Sequence, residues 1–186
     1  MGSLVVLPVG ALSKEQLGQV RVIYDGAFAP GLRVPFAELT EAGHADQMFV
    51  AADGAAPVAF ASLRLLGSAE WSFLRYFAVA SERRSQGLGH QFWQLLQAPV
   101  TAAGWPGRIV FEVEDPDEAA DDEPERLLRR RRIDFWTSCG ARPLAAPGYV
   151  LPDYTGCGMT EPVLLMASAP GAAPACTGDV LRSLVL

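Results

Sequence analysis

The stretch Phe77-Ala-Val-Ala-Ser-Glu-Arg-Arg-Ser-Gln-Gly-Leu-Gly-His90 constrains what this chain can fold into more than any other. An apolar run from Phe73 to Val79 reads as a strand, a polar turn follows at Ser81–Arg84, and Leu88, Phe92, Leu95 and Leu96 then recur at helical spacing. The reading is therefore strand, glycine-containing loop, helix N-terminus. Such a junction points several backbone N–H groups and the positive end of a helix dipole at one spot. Gly87 and Gly89 have no Cβ, so a ligand can approach the backbone there. Arg83 and Arg84 add positive charge at the mouth. The chemistry that fits is a diphosphate-like anion, although the same spacing also suits an ordinary strand-to-helix turn whose glycines serve packing.

Two other phosphate loops are excluded. A P-loop needs a lysine after its last glycine, and Lys14 is the only lysine in the chain. A dinucleotide fingerprint needs G-x-G-x-x-G after the first strand of a βαβ unit, whereas this G-x-G lies in mid-chain. The net charge of −6 argues against a nucleic-acid partner. Cys139, Cys157 and Cys176 are scattered, and with only His44 and His90 beside them no metal-ligand spacing arises. No apolar run reaches membrane-spanning length, and no basic leader with a cleavage site opens the sequence. The expectation is a soluble cytoplasmic protein with no metal, no membrane and no nucleic acid.

Along the chain, Leu4–Leu7 reads as a first strand stopped by Pro8. Ser13 can cap a helix from Lys14 to about Phe28, with Leu17, Val20, Val22, Ile23 and Phe28 as its apolar content. Pro35 can open a short second helix through Glu41. Met48–Ala52, Val58–Leu65 and Ser72–Val79 read as an antiparallel meander with turns at Asp53-Gly54 and Gly67-Ser68. The helix from Leu88 is expected to reach about Gln97, where Pro99 disturbs it, and Arg108–Val113 is the next strand. An acidic run, Glu114–Glu125, precedes the arginines Arg129–Arg132, an order that suits a helix dipole. An anion-binding role for these arginines is one reading. Leu128, Phe135, Trp136 and Cys139 are the expected buried stripe, and Gly140 the cap. Strands over Arg142–Leu151 and Val163–Ala167 enclose a glycine-rich loop, Pro152–Pro162, and an Ala/Pro/Gly-rich tail follows Ala169.

The loop, Phe77-Ala78-Val79 followed by Arg84-x-x-Gly87-x-Gly89, resembles the acyl-CoA loop of the GNAT N-acetyltransferase superfamily. The element order β-α-α-β-β-β-α-β-α-β-β resembles that family's over about residues 3–168. A second likeness is Phe135-Trp-Thr-Ser-Cys-Gly140-Ala141, which looks like the family's aromatic-Tyr-x-x-x-Gly-Phe element. The resemblance implies an α/β (α+β) fold: a single GNAT-like domain over residues 1–168 with a mixed, mostly antiparallel sheet of about seven strands, helices on both faces, and a separate tail at 169–186. It implies an N-acyltransferase that moves an acetyl or other short acyl group from acetyl-CoA, or another acyl-CoA, to a small-molecule amine in a ternary complex. The residues expected to hold the donor are Phe77, Ala78, Val79, Arg84, Ser85, Gln86, Gly87, Leu88, Gly89 and His90. The region between the first two helices is implied to line the acceptor site, and family members often pair, so a homodimer is also implied.

Attack on a thioester needs a neutral amine, hence a base, and an acid for the departing thiolate. Glu112, then Glu114, are the candidate bases; two apart on the fifth strand, they share one face. Burial there would raise a carboxyl's pKa, which suits a base, but the pair suits a solvent-facing edge equally well. The Tyr that often serves as the family's acid is here Trp136, whose indole N–H is no useful acid. Tyr149, Tyr154 and Cys139 are the substitutes to consider; the sequence privileges none of them, and Tyr149 is taken as the candidate catalytic residue. Other readings stay open: an acyl-carrier-protein donor, a degenerate member that senses CoA or binds a partner, and an unrelated nucleotide-binding module.

Overall fold

In a computed structural model the described residues are 4–41, 46–66, 70–146, 149–151 and 162–169. The elements are β1 (Leu4–Pro8), α1 (Lys14–Ala27), α2 (Phe36–Thr40), β2 (Asp46–Asp53), β3 (Ala56–Leu65), β4 (Ser72–Val79), α3 (Leu88–Ala102), β5 (Ile109–Glu114), α4 (Glu123–Ser138), β6 (Arg142–Pro143) and β7 (Val163–Ser168). They follow the expected order. The strands form one seven-stranded mixed sheet in the order β1-β2-β3-β4-β5-β7-β6. β1 with β2, β2 with β3, β5 with β7 and β6 with β7 pair antiparallel, while β4 and β5 run parallel through Ser72↔Ile109 and Phe73↔Val110.

The chain forms two compact units: Met1–Leu65 with Leu74–Pro106, and Leu66–Phe73 with Gly107–Leu186. In the first, Gly54 and Ala55 make the β2–β3 turn, one residue on from the expected Asp53-Gly54, and Gly54 has a φ of +64° that only glycine adopts easily. Its core gathers Val20, Tyr24, Leu39, Met48, Val50, Phe60, Tyr76 and Ala78. Ser13 caps α1 in a reciprocal box: its hydroxyl accepts from the Gln16 N–H at 3.2 Å, and the Gln16 side chain accepts from the Ser13 N–H at 2.9 Å. The helix buries Val20 and Tyr24, while Val22, expected among its apolar content, is 73% exposed.

In the second unit, β5 pairs with β7 from Ile109↔Ser168 to Glu114↔Val163. The core there is Leu66, Trp71, Phe73, Val110, Leu165 and Ala167. Asp122 caps α4 through the Glu125 N–H, and Gly140, at φ +87°, ends it.

Three expectations are corrected. α3 does not stop at Gln97 but runs through Pro99 to Ala102, because Val100 is fully buried and the Pro99 carbonyl still accepts from the Ala103 N–H at 3.0 Å. Leu95, whose carbonyl Pro99 cannot serve, lies on the exposed side of the helix. Leu128 is 43% exposed, so α4 is anchored by Trp136 and not by a stripe beginning at Leu128. The strand expected over Arg142–Leu151 is reduced to Arg142–Pro143 and a single bridge, Val150↔Pro162. Gly67-Ser68, Tyr154, Cys157 and the tail from residue 170 lie outside the described residues. No described helix is long and apolar enough to cross a membrane.

Candidate active site

The loop between β4 and α3 is fixed from both sides. At its strand end, Phe77 stacks on Phe92 with ring centroids 5.2 Å apart and meets the edge of Trp93 at 6.1 Å. Ala80 donates its N–H to the Val58 carbonyl at 2.9 Å. A 3₁₀ turn over Ser81–Arg83 follows. The Arg84 Nε–H donates back to the Val79 carbonyl at 3.1 Å, and the Gln86 amide to the Glu82 carbonyl at 3.2 Å. Two residues then take positive φ: Ser85 at 60° and Gly87 at 76°. Such backbone alternation is how chains build concave sets of N–H groups.

Gly87 is the residue preceding α3, and no side chain caps the helix. The first intrahelical bond runs from the Gln91 N–H to the Gly87 carbonyl at 3.1 Å. The N–H groups of Leu88, Gly89 and His90 therefore precede the helical ladder, at its positive end. A Cβ built on Gly87 meets no atom within 4 Å, so the space over this backbone is open. Leu88 is buried and holds the helix start to the core, while Arg84, Ser85, Gln86, Gly87 and His90 are exposed. An uncapped N-terminus behind an open glycine fits a diphosphate. Of the two arginines expected to add charge, Arg83 is committed to Asp53, 2.7 Å away.

The second unit holds the carboxylate candidates, which engage different partners. Glu112 accepts a hydrogen bond from the Tyr149 hydroxyl at 2.5 Å. Burial raises its pKa above the ordinary glutamate range, and the Tyr149 hydrogen bond opposes part of that rise. Glu114 lies 2.6 Å from Arg132 on α4 and is partly exposed. Shared parity along β5 thus did not bring the two carboxylates to one site. What the sequence did not show is the Glu112–Tyr149 contact, since 37 residues separate the two.

Trp136 and Cys139 both lie against packed surroundings. Trp136 is 8% exposed, with its ring 4.4 Å from Phe111 and 4.8 Å from Phe135. Phe111 alternates with Glu112 along β5, so this aromatic cluster points away from the Glu112–Tyr149 pair. Burial pushes the Cys139 thiol up to about 11, which leaves little thiolate at neutral pH. Of the arginine run and its neighbour, Arg129 is engaged by Glu125 and the Asp115 carbonyl, Arg132 by Glu114 and Arg126 by Glu123.

A third feature is an open pocket of about 330 Å³ between α1 and the segment before α2, lined by Arg21, Tyr24, Asp25, Arg33, Val34 and Phe36. Asp25 pairs with Arg33 and, at 3.6 Å, with Arg21. Sequence reasoning pointed to this region only through family likeness, because the charges that meet there are spread over two turns and a loop.

A family model described as "Acetyltransferase (GNAT) family" matches residues 18–128. No curated protein sequence gives a significant match. Solved structures with the same fold include a protein assigned to the GNAT family from Bacteroides thetaiotaomicron, with a TM-score of 0.68 and 19% identity over 91% of this chain and 89% of that one. An aminoglycoside 6'-N-acetyltransferase complexed with coenzyme A has a TM-score of 0.61 and 16% identity, over 91% of this chain and 99% of its own. The ribosomal-protein-S18-alanine N-acetyltransferase from Escherichia coli has a TM-score of 0.56 and 18% identity, over 92% and 99%. With the matched segment spanning both the strand–loop–helix junction and Glu112, the chain belongs to the GNAT acetyltransferase family, enzymes that use acetyl-CoA as donor.

Proposed function

We propose that this acetyltransferase moves an acetyl group from acetyl-CoA to a small-molecule amine by direct attack while both are bound. The observation that carries the reading is the uncapped N-terminus of α3 behind Gly87, whose positive φ and open surroundings leave room for an anion against the backbone. The donor would be held by Arg84, Ser85, Gln86, Gly87, Leu88, Gly89 and His90 at its diphosphate, and by Phe77, Ala78 and Val79 at its acyl end. When bound, it supplies an acetyl group activated as a thioester. The pocket lined by Arg21, Tyr24, Asp25, Arg33, Val34 and Phe36 is taken as the acceptor site, and the acyltransferase domain as residues 1–168 in a cytoplasmic protein.

Glu112 is the proposed base. Its raised pKa brings its proton affinity nearer to that of an amine than an exposed carboxylate's would be. Glu112 takes the ammonium proton, and the neutral amine attacks. Tyr149 gives its hydroxyl proton to the leaving sulfur and regains one from Glu112 along their shared hydrogen bond. Two protons leave the ammonium on its way to the amide: one passes through Glu112 and Tyr149 to the thiol, and the other goes to solvent. Glu114 is the weaker candidate, because its carboxylate is engaged by Arg132.

The test is incubation with acetyl-CoA and a panel of an aminoglycoside, spermidine and a peptide with N-terminal alanine, following free thiol and product mass together. Acetylated amine and thiol in equal amounts are expected. The buried Trp136 in place of the usual tyrosine favours one second reading, a CoA-binding module without catalysis. Tight acetyl-CoA binding with no turnover on any amine would decide for it; turnover only with an acylated carrier protein would identify that donor instead.

A further inference from the structure

The segment Pro30–Phe36 contains only a 3₁₀ turn at Pro30–Leu32 before α2 begins, and it supplies one wall of the pocket beside α1. Outside regular structure, its backbone groups need partners from elsewhere. Two phenols provide them. The Tyr24 hydroxyl donates to the Val34 carbonyl at 2.9 Å. The Tyr76 hydroxyl donates to the Leu32 carbonyl at 2.9 Å and accepts from the Val34 N–H at 3.2 Å.

The phenols themselves are held firmly. Tyr24 and Tyr76 meet edge to face with centroids 5.1 Å apart. Phe28 packs on Tyr76 at 4.9 Å, and Phe36 and Phe60 pack on Tyr24 at 5.7 and 5.9 Å. Tyr24 comes from α1 and Tyr76 from β4, so the wall is tied to a helix and a strand at once. Burial, with the Tyr76 hydroxyl beside it, raises the Tyr24 pKa, so this donor keeps its proton across the physiological range. Tyr24 and Val34 line the pocket; Tyr76 does not.

We propose that Tyr24 and Tyr76 form a latch that sets the shape of the pocket wall at Leu32–Val34, and that Tyr76 is thereby a positioning residue for the acceptor amine. This rests on the reading of that pocket as the acceptor site. The latch explains how a segment without ladder partners can present Arg33 and Val34 in one arrangement, and it places the control of acceptor fit beneath the site.

The test is Tyr76→Phe, which removes one hydroxyl and keeps the ring. Two quantities are read: amide hydrogen exchange at Val34, and steady-state kinetics with the best amine of the panel. Exchange at Val34 should accelerate about tenfold, as expected for the loss of an N–H acceptor. The KM for the amine should rise on the order of five- to tenfold, with kcat and the acetyl-CoA dissociation constant within about twofold of the parent, the pattern of lost ground-state positioning. Tyr24→Phe, which cuts the link to the Val34 carbonyl and the hydroxyl contact with Tyr76, should give a smaller change in the same direction and serves if the first variant folds poorly. Unaltered exchange at Val34 overturns the latch. Accelerated exchange with an unchanged amine KM overturns the link to acceptor binding. Absence of turnover by the parent chain with every amine counts against acetyl transfer itself, and leaves the exchange result to stand or fall separately.

Discussion

Gly87 separates a stability effect from a binding effect within one residue. A side chain at φ +76° costs about 1 kcal/mol, which in a chain of this size lowers Tm by about 2–4 °C. No protein atom would meet the new Cβ within 4 Å, so any larger effect must come from the ligand. Gly87→Ala should therefore lose roughly that stability but bind acetyl-CoA more than about tenfold more weakly, a loss of about 1.4 kcal/mol in binding. Unchanged affinity in calorimetric titration would remove the loop from the donor site. Glu112 makes a prediction with two signs. Burial raises its folded-state pKa above the ordinary 4.5, so its contribution to stability is full below the unfolded value and is lost as pH rises through the folded one. Glu112→Gln should gain in Tm relative to the parent as the pH is taken from acid to neutral, and a constant difference across pH would contradict the raised value. In the same variant kcat should fall about a hundredfold or more, as for removal of a general base. In the parent, the acid limb of the rate profile should titrate above the usual glutamate range.

Among the elements, α1 shows how much of a helix boundary is local chemistry. Ser13 and Gln16 exchange bonds across the first turn, so Ser13→Ala should cost about 1 kcal/mol and leave acetyl-CoA affinity unchanged, measured by denaturant unfolding beside a binding titration. The start of α1, the glycine end of α4 and the β2–β3 turn were legible in sequence because each depends on residues within four positions of one another. The end of α3 was not. Pro99 is a local stop signal, and the burial of Val100 overrides it. The same holds for α4, where helical spacing marked both Leu128 and Trp136 as buried and packing buries Trp136 but leaves Leu128 exposed.

For the whole molecule, ligand-linked stability is the broadest check. A ligand that binds only the folded chain at 100 times its dissociation constant stabilises by about 2.7 kcal/mol, which should raise Tm by several degrees with acetyl-CoA and not with ATP or NAD. An equal shift with ATP or NAD would point to a generic phosphate site. The order of elements along the chain and the glycine loop were readable from sequence because alternation, turn residues and helical spacing are short-range signals that survive without the fold. So was Glu112 as a residue worth attention, but not its partner. By itself the sequence determined the order of elements, the loop that precedes α3 and the type of chemistry those residues can perform. Only the tertiary structure decided that Tyr149 reaches Glu112, that Arg132 takes Glu114, and that Tyr24 and Tyr76 hold Leu32–Val34. The reason is physical: these contacts join residues from 10 to 44 positions apart, and burial and charge pairing select them only once the chain is packed.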